Sequence, residues 1–325
     1  MSNKILITGI CGFLPHHLCE HILKTTDYDI VGIDRLSYAS TGFDRIRDIG
    51  GIENPRVKIY THDLNEPIGE CLSKEIGSID YICHLGASTH VDNSIKNPRQ
   101  FVKDNVMGTL SILEYARTVP SLKKFLYFST DEVFGDAPKG ISYKEWDRYN
   151  SRNPYAASKA AGEELTLAFA NSYDLPVVIT HCTNIYGERQ HHEKYIPIVV
   201  NKILKAEKLE IHCTDDLPAS RSWIHARNVS DAVLYILKNG ANREKYNISG
   251  EEHDNEEVAN LISNIIGKPI SYVLINYYKN RHGHDPRYML DGTKLAELGW
   301  KVPIDFEASL TKTIQWTLEH DRWLK

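Results

Sequence analysis

The sequence predicts an α/β protein built on a doubly wound parallel sheet, with a smaller, mostly helical C-terminal lobe. Three observations carry that prediction. Short apolar runs that end in glycine or an acid alternate with stretches whose apolar residues return every three or four positions, the pattern of parallel βαβ units. The first unit contains Gly9-x-x-Gly12 and closes on Asp34, where glycines and an acid serve a dinucleotide. After about residue 184 the alternation gives way to irregular polar segments and separate helical stretches.

Bulk properties narrow the function classes. A chain of 325 residues exceeds one small core and suggests two lobes. With 42% apolar and 25% charged residues, it belongs with ordinary soluble globular chains. A net charge of −5 offers no basic excess for a phosphate backbone, so nucleic acid is not an expected partner. The six cysteines form no CxxC pair, which suits reduced thiols in a cytoplasmic protein. No apolar stretch approaches the roughly 20 residues of a membrane span, and strand pattern starts at Lys4 without a secretory leader. A soluble, cytoplasmic protein is expected.

Lys4 to Thr8 reads as the first strand, Phe13 to Leu23 as a helix with Leu14, Leu18 and Ile22 on one face, and Ile30 to Ile33 as the second strand. In this order Gly9 and Gly12 let backbone approach a pyrophosphate, the helix N-terminus favours its charge, and Asp34 accepts from ribose hydroxyls. Pro15 stands where a third glycine is expected, and proline is tolerated in a first helical turn. Val57 to Tyr60 and Asp80 to Leu85 are the third and fourth strands, Phe101 to Arg117 a helix, Phe125 to Phe128 the fifth strand, Ala156 to Tyr173 a helix, and Pro176 to Thr180 the sixth strand.

These elements place residues 1–183 in the dinucleotide-binding domain and 184–325 in a substrate lobe, with a segment near 220–240 returning to the first domain. Ser222 to His225 is the candidate returning strand. Helices are expected over 195–205, 254–266, 293–298 and 305–319, the last with a core stripe of Phe306, Leu310, Ile314 and Leu318.

Two groups of residues point to chemistry. Ser129-Thr130-Asp131-Glu132 follows the fifth strand, at the sheet end where ligands bind in open α/β folds. Adjacent acids there need solvent, a partner or a use, although the same residues also start turns and cap helices. Tyr155 and Lys159 are four apart at a helix start and project from one face. An ammonium beside a phenol favours phenolate, which can take an alcohol proton while its hydride leaves for a nicotinamide. A Tyr/Lys pair on a helix surface is also a common accident. His191-His192 and the group His16, His17 and His21 suggest a metal, but no acid or cysteine accompanies them at ligand spacing, so no metal is expected.

At these residues the chain resembles the extended short-chain dehydrogenase/reductase superfamily, which has a Rossmann fold, through Thr8-Gly9-x-x-Gly12-Phe13 and Tyr155-x-x-x-Lys159. More narrowly it resembles the nucleoside-diphosphate-glucose 4,6-dehydratases, its dTDP-glucose branch above all. The segments that carry the likeness are Asp34 to Ala39, His84 to Asp92, Ser129 to Gly135, Tyr155 to Lys159, Thr183 to Gly187, Tyr246 to Ile248 and Gly283 to Tyr288. The Thr130-Asp131-Glu132 triplet discriminates best, because related sugar-nucleotide epimerases lack the acid pair.

The resemblance implies a lyase that uses NAD. Tyr155 would deprotonate the carbon-4 hydroxyl, Glu132 would take the carbon-5 proton, Asp131 would protonate the leaving carbon-6 hydroxyl, and Thr130 would hydrogen-bond the carbon-4 oxygen. The implied NAD site is Gly9, Gly12, Phe13, Leu14, Asp34, Leu36, Asp63, Leu64, Leu85, Ala87, Asp104, Tyr155 and Lys159. The implied sugar-nucleotide contacts are Thr89, Thr130, Asn184, Lys194, Tyr195, Arg221, Asn247 and Arg287, the two arginines as diphosphate ligands. A homodimer through a four-helix interface of residues 101–117 and 156–173 is implied as well.

Departures from the family pattern are Pro15, Gly86 for alanine, Ser88 for glutamate, Ile185 for asparagine, Glu188-Arg189, His191-His192, Ser222 for aspartate and His282 for proline. Most fall in the presumed substrate region, so the base or sugar is open. A 4-epimerase or decarboxylase would need only tyrosine, lysine and NAD, leaving the acid pair unexplained. A non-catalytic sugar-nucleotide binder would need none of the four groups.

Overall fold

In the computed structural model, which describes residues 2–37, 40–276 and 283–325, the apolar runs of the first half become one sheet. The chain runs β1 (Lys4–Thr8), α1 (Phe13–Thr25), β2 (Asp29–Asp34), α2 (Asp44–Asp48), β3 (Val57–Thr61), α3 (Glu70–Ile76) and β4 (Tyr81–His84). It continues through α4 (Val91–Lys96), α5 (Pro98–Val102), α6 (Gly108–Ala116), β5 (Lys124–Phe128), α7 (Pro154–Tyr173) and β6 (Val177–Cys182). Both faces of β1, β2, β4, β5 and β6 are covered, which is why they read as apolar runs, whereas edge strand β3 is only partly buried. Ile5 and Ile7 of β1 pack with Leu14, Leu18 and Ile22 of α1, whereas Leu6 between them packs with Ile112 and Leu113 on the other face. All of these are buried, and each side chain contributes roughly 1.5–3 kcal/mol by leaving water.

The second half contributes β7 (Asn184–Tyr186), α8 (Tyr195–Leu204), β8 (Leu209–Thr214), β9 (Leu217–Pro218), β10 (Ser220–His225), α9 (Ala226–Asn239), β11 (Lys245–Ile248) and β12 (Glu251–Asp254). It ends with α10 (Asn255–Ile266), β13 (Tyr272–Asn276), β14 (Arg287–Tyr288), α11 (Thr293–Glu297) and α12 (Phe306–Glu319). The large sheet has seven strands in the order β11-β6-β5-β4-β1-β2-β3, all paired parallel. Strand order reverses between β1 and β4, so the turns after these two strands diverge to opposite faces and leave a crevice at their carboxyl ends.

Three expectations need correction. Ser222 to His225 does form a strand, but β10 pairs with β7, β12 and β14 in a smaller sheet and not with the first sheet. The chain returns one element later. Helix α9 packs on α1, and fully buried β11 adds the seventh strand beside β6. The helix expected over 101–117 is not continuous either. A π-helical turn at Lys103–Met107 separates α5 from α6 and turns Asp104 and Asn105 inward, a device often found at functional sites. Finally, Leu318 is exposed, and Thr317 ends the buried stripe of α12 that Phe306, Leu310 and Ile314 begin.

The apolar faces of α8, α10 and α12 meet over Val199, Val200, Ile203, Val258, Ile262, Leu310 and Ile314, forming a second core. Helix α10 starts with a capping box, in which the Asp254 carboxylate accepts from Glu257 N and the Glu257 side chain from Asp254 N. Among the described residues no helix is long and apolar enough to cross a membrane.

Candidate active site

A cleft of about 400 Å³ lies along the carboxyl ends of the parallel strands. It gathers nearly every residue singled out from the sequence. Gly9, Gly12, Phe13, Leu14, Asp34, Asp63, Leu64, Leu85, Ala87 and Asp104 line one end, and Thr89, Thr130, Asp131, Glu132, Tyr155, Lys159, Asn184, Lys194 and Tyr195 line the rest.

The dinucleotide end is shaped by close backbone approach. Gly9 has φ +69°, and a Cβ there would lie 2.8 Å from the Cα of Gly86. A Cβ at Gly86 would meet Thr8 Oγ1 at 3.1 Å, so the glycine in place of alanine fits this contact. Pro15 lines the cleft in the first turn of α1, and the helix runs through it undisturbed. Asp34 accepts from the backbone N–H groups of Cys11 at 2.9 Å and Leu36 at 2.7 Å. Burial pushes its carboxyl up, and those two N–H groups pull it back. With one protein donor on each oxygen, lone pairs remain for ribose hydroxyls.

Leu36 itself does not line the cleft. It has φ +57°, and what it supplies is the N–H that holds Asp34. Asp104 lines the cleft with its oxygens occupied. Both nitrogens of the Arg35 fork donate to it at 2.6 Å, joined by Ser88 Oγ at 2.6 Å and Gln100 Nε2 at 2.7 Å. Ser88 therefore belongs to an intact polar network, and Asp104 is the strut that holds Arg35.

At the chemical end, Thr130 caps a single 3-10 turn, Asp131–Val133, by accepting from Glu132 N at 3.4 Å. The acids thus start a turn and face the cleft at once. Thr130 Oγ1 donates to Asp131 Oδ1 at 3.0 Å, while the buried Asp131 Oδ2 meets no donor among the described residues. Burial pushes the Asp131 carboxyl up to about 7, and Glu132 adds to the push. Asp131 therefore carries a proton through much of the neutral range. Glu132 Oε2 accepts from Asn153 Nδ2 at 2.9 Å.

Helix α7 presents Tyr155 in its first turn and Lys159 one turn later, both buried. Here the expected electrostatics are corrected. Burial, with Glu132 next, pushes the Tyr155 phenol well above its ordinary value, and the Thr130 hydroxyl pulls only partly against this. Burial also brings the Lys159 ammonium down to about 7, with Glu163 opposing. The protein alone thus holds the phenol neutral, and phenolate needs added positive charge in the cleft. Lys159 Nζ rests 4.3 Å from the Tyr127 ring centroid.

Three predicted substrate contacts lie elsewhere. Arg287 directs Nε and Nη2 at Glu252, at 2.6 and 3.0 Å, and Nη1 at the carbonyls of Ala137, Pro138 and Ile141. Arg221 donates to the carbonyls of Ser220, Pro286 and Asp285 and lies 4.7 Å from the Tyr288 ring centroid. Arg221 ties β10 to the chain entering β14, Arg287 ties β14 to β12 and to the 137–141 loop, and neither lines the cleft. Asn247 is fully buried, with Nδ2 donating to the Tyr143 and Asp291 carbonyls and Oδ1 against His181 Nδ1. Among the described residues, the cations that line the cleft are Arg35, Arg45, Lys159 and Lys194.

Sequence reasoning missed several residues. Asn153 caps α7 by accepting from Ala156 N, and Asn105 bridges Ser88 and Ser158. Behind Tyr155 lies buried Glu163, with Ser129, Tyr149, His181 and Lys245 around it. Burial, the largest single influence, works to raise its pKa, yet His181 and Lys245 with the Ser129 hydroxyl bring it down to about 2. An asparagine just before Pro154 at a helix start is an N-cap signal that could have found the first.

The remaining departures have local accounts. Glu188 accepts from Arg227 at 2.8 Å and pairs with His225 at 3.1 Å. Ser222 Oγ accepts from Gly250 N at 2.9 Å, Ile185 and His191 line the cleft, and His282 lies outside the described residues. The acid missed beside the histidine pair is Glu193, since ligand-type atoms of His191, His192 and Glu193 lie within 4.8 Å of one another. Two of the three are exposed, short of the four enclosed ligands of a structural site.

A doubly wound sheet with a dinucleotide crevice and a Tyr/Lys helix defines an extended short-chain dehydrogenase/reductase. The chain belongs to the GDP-mannose 4,6 dehydratase family, which it matches over residues 6–313. It is 35% identical to the dTDP-glucose 4,6-dehydratase of Salmonella typhimurium, across 99% of this chain and 94% of that one. It is also 35% identical to a trifunctional UDP-glucose 4,6-dehydratase of Arabidopsis thaliana, across 99% of this chain and 48% of that longer protein. Among solved structures, the dTDP-glucose 4,6-dehydratase of Streptomyces venezuelae with NAD bound superposes with a TM-score of 0.88 at 31% identity, covering 99% of this chain and 100% of the other. The UDP-glucuronic acid 4-epimerase of Bacillus cereus superposes with 0.87 at 25% identity, covering 98% and 99%.

Proposed function

We propose that this chain is an NAD-dependent sugar-nucleotide 4,6-dehydratase, which converts a nucleoside-diphosphate glucose to the 4-keto-6-deoxy sugar nucleotide and water. The observation that carries the reading is the acid pair. A buried Asp131 whose carboxyl holds its proton up to about 7 sits beside Glu132 in the cleft that also holds Tyr155. A dehydratase and an epimerase share the fold at nearly equal TM-scores, so the fold does not separate them. Epimerisation leaves the pair without a task, whereas elimination needs one proton removed and one delivered.

The residues suit NAD, since Gly9 and Gly86 bring backbone close and Asp34 retains lone pairs for ribose hydroxyls. When bound, NAD would supply the hydride acceptor for carbon 4 and the hydride donor for carbon 6. Tyr155 takes the carbon-4 hydroxyl proton, helped by the positive charge that the cofactor brings to a phenol otherwise held neutral. Thr130, whose one O–H donates to Asp131 Oδ1, turns it to the carbon-4 oxygen when the sugar is bound. The new ketone acidifies carbon 5, Glu132 removes that proton, and Asp131 Oδ2 protonates the carbon-6 hydroxyl so that water leaves; Glu132 then gives a proton back to carbon 5 as carbon 6 receives hydride. Lys194, at the N-cap of α8, faces the sugar-nucleotide diphosphate in place of Arg221 and Arg287.

Residues 184–325, less the returning α9 and β11, cover the substrate. Two copies pair through residues 98–116 and α7, where Val102, Met107 and Tyr173 stand exposed, and a solution mass of two chains checks this. The enzyme works in the cytoplasm, where its free thiols stay reduced, and a cell fractionation tests that.

Incubation of the purified protein and NAD with dTDP-, UDP-, GDP- and CDP-glucose is expected to give a 4-keto-6-deoxy product from at least one. No turnover on any of the four overturns the assignment.

A further inference from the structure

Glu132 sits on a 3-10 turn of three residues, a support with little internal stiffness, and its side chain has three rotatable bonds. Removing a carbon-bound proton needs the carboxylate held to within a fraction of an ångström of its target. The group that holds it is Asn153, which is 6% exposed. One N–H of its amide donates to Glu132 Oε2 at 2.9 Å and the other to the Gly283 carbonyl at 3.0 Å. Its Oδ1 accepts from Ala156 N at 2.8 Å and so caps α7, whose next residue but one from Asn153 is Tyr155.

The amide can sit only one way round. A flip would set Oδ1 against a carboxylate and a carbonyl, and Nδ2 against an N–H, making every contact repulsive. One side chain therefore ties together the base, the helix that carries the phenol and the loop at Gly283. The glycine itself, at φ +80°, has the conformation that brings its carbonyl to the amide.

We propose that Asn153 is a positioning residue for proton removal at carbon 5, fixing the Glu132 carboxylate relative to Tyr155 through the helix cap. The inference rests on the dehydratase reading above. It also separates two jobs of one side chain. The cap uses Oδ1 alone, and serine or aspartate can replace it there. The hold uses two N–H donors of Nδ2, to Glu132 and to Gly283; aspartate has none, and serine has a single shorter O–H that cannot make both.

The test compares Asn153→Ser, Asn153→Asp and Glu132→Gln in the full chain with NAD, using dTDP-glucose or whichever of the four glucose nucleotides turns over. Three quantities are read: the thermal midpoint, reduced-cofactor absorbance as a measure of carbon-4 oxidation, and solvent deuterium entering carbon 5. Asn153→Ser is expected to keep the midpoint and Asn153→Asp to lower it, and both to keep the oxidation while carbon-5 exchange and elimination slow by at least about tenfold. Asn153→Asp should slow them more, since it aims a second carboxylate at Glu132. Wild-type exchange in both, with exchange lost in Glu132→Gln, would leave Asn153 a helix cap and overturn the proposal. Equal loss of oxidation and exchange would do the same, by placing the effect at Tyr155. Wild-type exchange in Glu132→Gln would overturn the base assignment and the positioning role with it.

Discussion

Replacing Glu132 by Gln is expected to stop water elimination and to spare oxidation at carbon 4. The substitution keeps the shape of the side chain and its contact with Asn153, but removes the one group placed to take the carbon-5 proton. Loss of a positioned general base costs about 10²–10⁴ in rate, or roughly 3–5 kcal/mol of barrier. Tyr155, Lys159 and Asp34 are untouched, so the first oxidation still proceeds and the bound cofactor accumulates in reduced form. Rapid-mixing absorbance measures that accumulation, and product analysis measures the missing elimination. A variant that eliminates water at the wild-type rate would remove Glu132 from the mechanism.

Asp131→Asn should lose elimination by a similar factor, because the amide has no acidic proton to give the departing hydroxyl. Its second signature is in stability. The Asp131 pKa is raised by burial to about 7 from an ordinary 3.8. A group shifted upward contributes stability that is fully present below the unfolded pKa and lost as pH rises through the folded one. Wild type therefore loses stability between about pH 4 and 7 relative to a chain that cannot titrate there, by up to roughly 4 kcal/mol for a shift of about three pKa units. The difference in thermal midpoint, variant minus wild type, should climb through that window and level off above it. Lys159, down at about 7 from an ordinary 10.5, is present in both proteins and cancels in the difference. A difference that stays flat with pH would show that Asp131 keeps an ordinary carboxylate in the fold.

The strands, the crevice and the acid pair, tyrosine and lysine that line it could be read from the sequence because each depends on local pattern. An apolar run bounded by glycine is a buried parallel strand wherever it occurs, and Tyr155 and Lys159 share a helix face by spacing alone. What could not be read depends on where a side chain's partners come from. Arg287 looks like a diphosphate ligand until its donors are traced to Glu252 and three carbonyls, residues as much as 150 positions away. Asn247 looks like a ligand contact until β11 turns out to be the seventh strand of the large sheet and buries it. The π-helical turn at Lys103–Met107 leaves the apolar periodicity on either side intact, so no pattern announces it, yet it aims Asp104 and Asn105 inward. Burial acted likewise on Tyr155. Spacing placed the lysine near the phenol, but only the surrounding structure shows that desolvation and Glu132 hold the phenol neutral.

The central claim is that hydride leaves carbon 4 and returns to carbon 6 of one sugar, with water lost between. A glucose nucleotide deuterated at carbon 4, incubated with the protein and NAD, tests it most directly by the position of the label in the product. The account predicts deuterium at carbon 6 of a 4-keto-6-deoxy sugar, with no net reduction of NAD. Deuterium that remains at carbon 4 of a sugar still bearing its carbon-6 hydroxyl would contradict it.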